Sequence, residues 1–422
     1  MARLAAGLLV AAIAVLLVGE TAGLEKVGKN LKFLIAIFRH GYRATAYTYK
    51  NDPHGESVWP SGFSSLTPRG VQQHYKLGSY LRQRYDGYIN PKRAVKEIYV
   101  RATNYDRTIQ SAMANMAGWF PPAATDVWAN TALGKLWRPF PVRLADDPTL
   151  LGETDCERID DKAYRGRPDL QKIFDTIEFE HKEFLDHVRR QSGEPNMRVQ
   201  KGLEEVSDVL RCQKYNGVKL PEWVTDEVYD KIQYLDNLRF HVWVGGNGDV
   251  QRARVNAGKL LRHFITSFRN KINNVTKVMK EYKAYAYASH DNSIGGLLSC
   301  LDLYDYDLRN PVAHIPLYAN MLLFELYNDN TVRILHKNDT TEDDFTSKDP
   351  IVLKHPECDV YCPLDKLDQL TREYQPDSDD VWKGECENHS RQRFRVKRPI
   401  HFPPPPLKTK PFETPKGPYQ QG

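Results

Sequence analysis

Short apolar runs alternate with longer amphipathic segments near both ends of the chain. Residues 31–38, LKFLIAIF, predict a buried strand, and residues 64–89 predict a helix with Thr67 as its cap and Pro68 in its first turn. Residues 94–120 predict a strand that ends at Arg101 and a helix that begins near Tyr105. This part of the chain therefore alternates strand and helix.

The same alternation returns in the second half of the sequence. Residues 249–272 predict one long helix, 283–301 a strand, a turn and a helix, and 318–336 two strands joined by an Asn-Asp-Asn turn. These patterns predict an α/β fold with a central mixed, mostly parallel sheet and helices on both faces. The charged, mostly helical middle predicts an inserted smaller helical cap domain, 120–245, which divides an α/β domain of 24–119 and 246–395.

The N-terminus is typical of a secretory signal peptide. Arg3 provides a positive start, residues 4–18 are apolar, and small residues near Gly23 suit cleavage, so residues 1–23 form the predicted signal. The alternative is a membrane anchor, but the run is shorter than the roughly 20 residues a spanning helix needs. We therefore expect a secreted or lysosomal protein with no transmembrane anchor in the mature chain.

Cysteine and asparagine patterns agree with that compartment. The chain has six cysteines, an even number that suits three disulfides, and it has no CxxC pair to favour zinc or redox chemistry. Three sequons predict N-glycosylation at Asn274, Asn338 and Asn388.

The net charge of +5 comes from the C-terminal end of the chain. From Arg391 onward there are eight Lys or Arg residues and one Glu, so the remainder has a net charge of −2. Residues 396–422 are rich in proline and predict a disordered or polyproline tail. The predicted folded part has no basic patch of the kind that binds nucleic acid.

Unusual polar residues stand at three predicted strand ends. They are Arg39, His40 and Arg43 in FRHGYRAT, Arg101 in YVRATNYDRT, and His290 and Asp291 in ASHDNSI. Ligands bind at the carboxyl ends of strands in open α/β sheets. Arginines fit phosphate oxygens, a neutral imidazole can attack phosphorus, and a carboxylic acid can protonate the leaving oxygen, so the set fits a phosphate monoester.

Each residue also has a purely structural interpretation. His40 could be a core histidine, and the motif arginines could pair with surface carboxylates. Arg101 could pair with Asp106, and Asp291 could cap a helix. Because all three groups stand at predicted strand ends, we favour a phosphate-binding site over these structural roles.

Several motifs resemble the two-histidine branch of the histidine acid phosphatases. The resemblance extends from about Leu31 to Glu387 and rests on RHGYRAT, the segment 52–78, VRATNYDRTIQSA, ASHDNSI and CDVYCPL. It implies a phosphoglycerate-mutase-like fold and an acid phosphatase that hydrolyses small-molecule or protein phosphate monoesters. It also implies no cofactor or metal, and it allows a homodimer.

Site roles follow from the same resemblance. His40 would be the nucleophile that forms a phosphohistidine, Asp291 the proton donor, and Arg39, Arg43, Arg101 and His290 the phosphate-binding set. Two positions depart from the family pattern: Tyr42 replaces a frequent Asp and Thr45 a usual Pro. Tyr42 is placed where it could contact the leaving group.

The resemblance also implies disulfides Cys358–Cys362 and Cys156–Cys386, which leaves Cys212 and Cys300 as the remaining pair. The alternative to an enzyme is a catalytically silent secreted binding or antigenic protein on the same scaffold.

Overall fold

The computed structural model of the protein describes residues 30–122, 126–144, 147–151, 156, 167–246, 248–304, 314–338, 340 and 349–387. The predicted signal peptide, the sequon at Asn388 and the proline-rich tail lie outside the described residues.

The described strands form one eight-stranded mixed sheet, in the order β3-β2-β4-β1-β5-β6-β7, with β8 paired to β6. Strands β1 to β4 pair in parallel, and the pairings from β1–β5 onward are antiparallel. The strand bounds are β1 Leu31–Arg39, β2 Ile98–Ala102, β3 Arg143–Leu144, β4 Ala284–Ser289, β5 Met321–Tyr327, β6 Thr331–Lys337, β7 Ile351–Leu353 and β8 Cys362–Pro363. The predicted mixed sheet is confirmed, but it is not mostly parallel, because four of its seven described pairings are antiparallel.

Helices occupy most of the rest of the described chain. Their bounds are α1 Pro68–Arg84, α2 Ala94–Glu97, α3 Asp106–Trp119, α4 Ala132–Leu136, α5 Pro168–Glu180, α6 Lys182–Ser192, α7 Leu203–Asn216, α8 Asp226–Trp243, α9 Val250–Ala253, α10 Lys259–Ile272, α11 Lys277–Glu281, α12 Asp291–Cys300, α13 Leu364–Thr371 and α14 Asp379–Glu387. The Thr67 side chain accepts a hydrogen bond from the Gly70 amide, as the sequence predicts. The predicted long helix at 249–272 is helical, but a π-helical segment at Arg254–Gly258 separates α9 from α10.

Strand β1 is buried on both faces because its apolar run leaves no polar face. Phe33 and Ile37 pack on the side that carries α10 and α12. Leu34 and Phe38 pack on the opposite side, with α1 and α3. The sheet therefore lies between two helical layers, which fixes the ends of its central strands.

Helices α5 to α8 contribute most of a separate apolar cluster. Phe184, Val206, Leu210 and Ile232 are buried within it, at 1% exposure or less. This packing is what the predicted cap requires, although the cap and the domain boundaries remain predictions.

Four of the six cysteines form two disulfides, and the other two are free. Cys156–Cys386 and Cys358–Cys362 form disulfides, as the family resemblance implies. The expected bridge between Cys212 and Cys300 is wrong, because both are free and buried. Cys212 contacts Tyr318 Oη at 3.2 Å, whereas Cys300 Sγ donates to the Ala253 carbonyl oxygen at 3.2 Å, so the two thiols face different surroundings.

Two sequons fall within the described residues. Asn274 is exposed, as a glycosylated residue must be. Asn338 is only 8% exposed and its side-chain oxygen accepts a hydrogen bond from Asn320, which disfavours a glycan there. No helix in the described part of the chain is long and apolar enough to cross a membrane.

Candidate active site

Two neighbouring parallel strands bring the first and third sequence motifs together. Arg39 at the end of β1 is in register with Ser289 at the end of β4. His40 and His290 follow directly, and their rings are 5.5 Å apart between centroids. The predicted convergence at the carboxyl ends of the strands therefore takes place for these two motifs.

The backbone of the first motif is held from several directions. The His40 amide donates to the Ser289 carbonyl oxygen at 3.0 Å, and the Gly41 amide donates to Ser111 Oγ at 3.1 Å. A Cβ atom at Gly41 would lie 2.5 Å from the Gly70 carbonyl oxygen, so only glycine allows this loop to pack on the start of α1. The loop is thus held in place by contacts within the protein itself.

His40 is 2% exposed and its tautomer is fixed by one hydrogen bond. Nδ1 lies 2.9 Å from the Gly41 carbonyl oxygen. A carbonyl oxygen only accepts, so Nδ1 carries the proton and Nε2 has a free electron pair in the neutral ring. Burial, followed by the charges of Arg39 and Arg107, lowers the pKa of His40 well below its usual value. The ring therefore stays neutral at a pH where an ordinary histidine would be protonated.

Arg39, directly before His40 in the sequence, forms an ion pair with Asp291, the candidate proton donor. Its Nη2 contacts Asp291 Oδ2 at 2.7 Å, and its Nη1 donates to the Pro316 carbonyl oxygen at 2.6 Å. The guanidinium also lies 4.2 Å from the centroid of the Tyr318 ring. Burial opposes ionisation of Asp291, but Arg39 and then His290 lower its pKa in the ligand-free site.

Arg43 is held by a residue that sequence reasoning missed. Its Nη1 and Nη2 contact the Asp208 carboxylate on α7 at 3.0 and 2.7 Å, as a bidentate pair. Both side chains are about 10% exposed. Helix α7 therefore positions the second arginine of the first motif, a long-range contact that no local pattern reveals.

Arg107 lines the cavity, whereas Arg101, the arginine that the sequence predicted for phosphate binding, does not. Arg101 lies in register with Tyr287, and after burial its charge is the largest influence that lowers the pKa of His263 to about 4. Arg107, in the first turn of α3, lines the cavity with His290 and Asp291 and lowers the pKa of His40. The motif YVRATNYDRT contains both arginines. Arg101 lies within strand β2, so its side chain points to a face of the sheet and not to the strand end.

Arg107 differs from its neighbours in its charge environment. Among the described residues it makes no ion pair, and its guanidinium lies 4.4 Å from the centroid of the Tyr105 ring. Burial and the nearby charge of Arg43 lower the pKa of Arg107. This side chain therefore presents a positive charge that no carboxylate of the described residues holds in an ion pair, although Asp291 acts on it from a longer distance.

A chain of threonine hydroxyls fixes the tautomer of His290. Thr108 Oγ1 lies 2.7 Å from the Tyr105 carbonyl oxygen and must donate to a carbonyl, because carbonyl oxygens only accept. Since the single hydroxyl proton of Thr108 is used there, Thr103 Oγ1 must donate its own proton to Thr108 Oγ1, which is 2.7 Å away. Thr103 Oγ1 can then only accept a hydrogen bond from His290 Nε2, at 3.0 Å. Nε2 is thus protonated, and burial, followed by Arg107, lowers the pKa of His290 to about 3.

The two departures from the family pattern, Tyr42 and Thr45, are buried and do not line the cavity. Tyr42 is 3% exposed and stacks on Tyr215 at 5.3 Å, so the expected contact with a leaving group is wrong. Thr45 is 1% exposed, and its hydroxyl donates to the Tyr47 carbonyl oxygen at 2.9 Å. Both residues support the loop from within.

A cavity of about 410 Å³ opens beside these groups. Arg107, His290 and Asp291 line one part of it, and side chains from α5, α7 and α8, with Tyr47 and Tyr105, line much of the remainder. Its size is in the range of small-molecule sites. Within the described residues no group of three or more His, Cys, Asp or Glu is arranged to hold a metal ion.

The family model for the histidine phosphatase superfamily (branch 2) matches residues 30–343. The chain belongs to this superfamily and is a phosphatase. It is 32% identical over 368 residues to prostatic acid phosphatase of Rattus norvegicus, covering 85% of this chain and 89% of that protein. It is 31% identical over 370 residues to lysosomal acid phosphatase of Xenopus laevis, covering 86% and 80%. Relatives of these two kinds agree with the expected secreted or lysosomal location.

Solved structures confirm the fold. The apo form of Hafnia alvei phytase superposes with a TM-score of 0.61 at 16% identity, covering 84% of this chain and 98% of that one. The phytase of Citrobacter braakii gives a TM-score of 0.60 at 17% identity, with 85% and 99% covered.

Proposed function

We propose that the protein is an acid phosphatase that hydrolyses phosphate monoesters in two steps through a phosphohistidine on His40. The observation that carries this proposal is the hydrogen bond from His40 Nδ1 to the Gly41 carbonyl oxygen, which leaves Nε2 as the free nucleophilic nitrogen. Arg39, Arg43, Arg107 and His290 surround the ring and suit a phosphate group. Positive groups in fixed positions stabilise the charge on the equatorial oxygens during phosphoryl transfer.

In the first step, His40 Nε2 attacks phosphorus and the bond to the ester oxygen breaks. The leaving oxygen needs a proton, and Asp291 is the carboxyl group beside Arg39 that can provide it. In the second step, water attacks the phosphorus, Asp291 accepts its proton, and His40 leaves as a neutral ring. Inorganic phosphate is the product.

The protonation state of Asp291 must change when the substrate binds. In the ligand-free site its pKa is lowered against the effect of burial, chiefly by Arg39, so the group is ionised. A bound phosphate competes for Arg39 and adds negative charge, and both effects raise the pKa of Asp291. The substrate monoanion can carry the proton in, because the second pKa of a phosphate monoester is about 6. We therefore expect activity to fall above that pH.

Secretion is part of the same proposal. Removal of residues 1–23 as a signal peptide would deliver the chain to the secretory pathway, where its two disulfides can form. Asn274 is the exposed sequon among the described residues and is our proposed glycosylation site.

Hydrolysis of p-nitrophenyl phosphate by the chain without residues 1–23 tests the proposal. We expect activity that peaks at acidic pH, persists with a chelator and disappears in His40→Ala. His74→Gln is a matched control, because His74 is also a fully buried histidine and contacts the backbone of Arg39 rather than the cavity. No activity in a folded wild-type protein would contradict the proposal and favour a silent binding protein.

A further inference from the structure

We propose that Tyr47 and Tyr105 form the binding site for the leaving group, and that the preferred substrate is the phosphate monoester of an uncharged aromatic or similarly apolar alcohol. This inference rests on the proposed phosphatase function and names its substrate class. It concerns the part of the cavity beyond the phosphate-binding residues.

Both tyrosines combine partial exposure with a place in the wall of the cavity. Tyr47 is 44% exposed and Tyr105 is 46% exposed, and both line the cavity together with Arg107 and His290. An aromatic surface left open beside a polar reaction centre is a feature of ligand sites, since it gains free energy only when a ligand covers it.

The two rings are attached to the catalytic residues by short connections. Tyr105 directly precedes α3, and its ring packs edge-on against His290 at 5.1 Å between centroids. Tyr47 follows the first motif, and its amide donates to Thr45 Oγ1 at 3.1 Å. An alcohol whose phosphate occupies the arginine and histidine set would therefore have these two aromatic surfaces within the same cavity.

Apolar side chains continue the surface away from the phosphate-binding residues. Leu170 and Phe174 on α5, with Phe240 and Trp243 on α8, line the same cavity. Burial of a ring or short alkyl group against them removes apolar surface from water.

Charges in the remainder of the cavity are already neutralised. Arg211 Nη2 contacts Asp236 Oδ2 at 2.8 Å, and Arg239 Nε contacts Asp236 Oδ1 at 2.9 Å. Arg239 also lies 3.9 Å from Glu204. Of the three arginines among the described cavity residues, only Arg107 makes no ion pair with a carboxylate. A second phosphate on the substrate would thus find no unpaired cation, and nearby carboxylates would repel it.

Three substrates and five variants test this assignment. The measured quantity is the ratio of kcat/KM for phenyl phosphate to that for glycerol 2-phosphate, taken relative to wild type so that intrinsic leaving-group reactivity cancels. We expect Tyr47→Ala and Tyr105→Ala each to lower this ratio by roughly tenfold, because a ring contact is lost for phenyl phosphate alone. Tyr47→Phe and Tyr105→Phe should retain the ratio.

Tyr75→Ala is the matched control, since Tyr75 is 50% exposed on α1 and does not line the cavity. It should leave the ratio unchanged. Inositol hexakisphosphate should have a lower kcat/KM than phenyl phosphate in the wild-type enzyme.

An unchanged ratio in both alanine variants would overturn the leaving-group site, as would efficient hydrolysis of inositol hexakisphosphate, while the phosphatase function would stand. If wild type hydrolysed neither small ester, the proposed function would fail and the substrate assignment with it.

Discussion

Arg107→Ala separates catalysis from stability more cleanly than other substitutions at the site. Arg39 and Arg43 each hold a carboxylate, so their loss would leave Asp291 or Asp208 without its partner. Arg107 makes no ion pair among the described residues, and its charge is directed at the cavity that contains His290 and Asp291. Its removal should therefore affect the phosphate and leave the fold intact.

The expected catalytic loss follows from the number of contacts removed. A charge-assisted hydrogen bond to phosphate contributes about 1.5–3 kcal/mol, so the inhibition constant of inorganic phosphate should rise roughly 10- to 150-fold. The transition state carries more localised charge than the product, and kcat/KM should fall on the order of 100- to 1000-fold.

Stability should change little, because two effects oppose each other. The lowered pKa of Arg107 means that folding disfavours its charge, so its removal relieves burial and repulsion from Arg43. Loss of its contact with the Tyr105 ring costs about 0.5–1 kcal/mol. The free energy of unfolding should stay within about 1 kcal/mol of wild type.

The assay combines steady-state kinetics, phosphate inhibition and urea unfolding. Arg107 also lowers the pKa of His40, so its removal should raise that pKa and move the acidic limb of kcat/KM to higher pH. Arg101→Ala is the control and should keep kcat/KM within about fivefold per folded molecule. A large loss in Arg101→Ala with near-normal activity in Arg107→Ala would refute the assignment of the third arginine.

Three further predictions concern the surroundings of the site. Thr103→Val should lower kcat/KM about tenfold by removing the acceptor for His290 Nε2, and Thr103→Ser should restore both the rate and the pH profile. Alkylation of the denatured, unreduced protein should label Cys212 and Cys300, and reduction should expose all six cysteines to the reagent in peptide maps. A third bridge would appear as no labelling before reduction. Burial lowers the pKa of His74 and of His336 to about 3, so the unfolded chain binds more protons below pH 6.5. Each should therefore cost about 1.4 kcal/mol of stability per pH unit as the pH falls from 6.5 toward 4, and His74→Gln should flatten the pH dependence of the urea midpoint.

The local sequence was sufficient to predict the elements that hold the two histidines of the candidate site. The unbroken apolar run of β1 and the cap at Thr67 are short-range signals, and the structure follows both. His40 and His290 stand immediately after strands, so their meeting depends only on parallel pairing of β1 with β4.

The choice between Arg101 and Arg107 needed more than the motif that contains both. A residue inside a strand points to a sheet face, whereas a residue in the first turn of the following helix stands at the strand's carboxyl end. Arg101 lies within β2 and Arg107 within α3, so the boundary between the two elements decides which side chain reaches the cavity.

Contacts distant in sequence could not be predicted from one chain. Asp208 lies 165 residues from Arg43, and its carboxylate is one of many along the charged middle of the sequence. Cys212 and Cys300 were paired only because two cysteines remained, and their distinct packing was invisible without tertiary structure. Tyr42 likewise stands in a site motif, and only the tertiary structure shows that Tyr215 stacks on its ring and keeps it from a substrate.

The most direct test of the central claim is the identity of the phosphorylated residue during turnover. Wild-type enzyme mixed with radiolabelled phosphate monoester should be quenched rapidly in alkali and digested for peptide mapping. The proposed mechanism predicts an alkali-stable, acid-labile phosphoryl group on His40, and none in His40→Ala. A label on another residue, or turnover without any labelled peptide, would contradict the phosphohistidine mechanism.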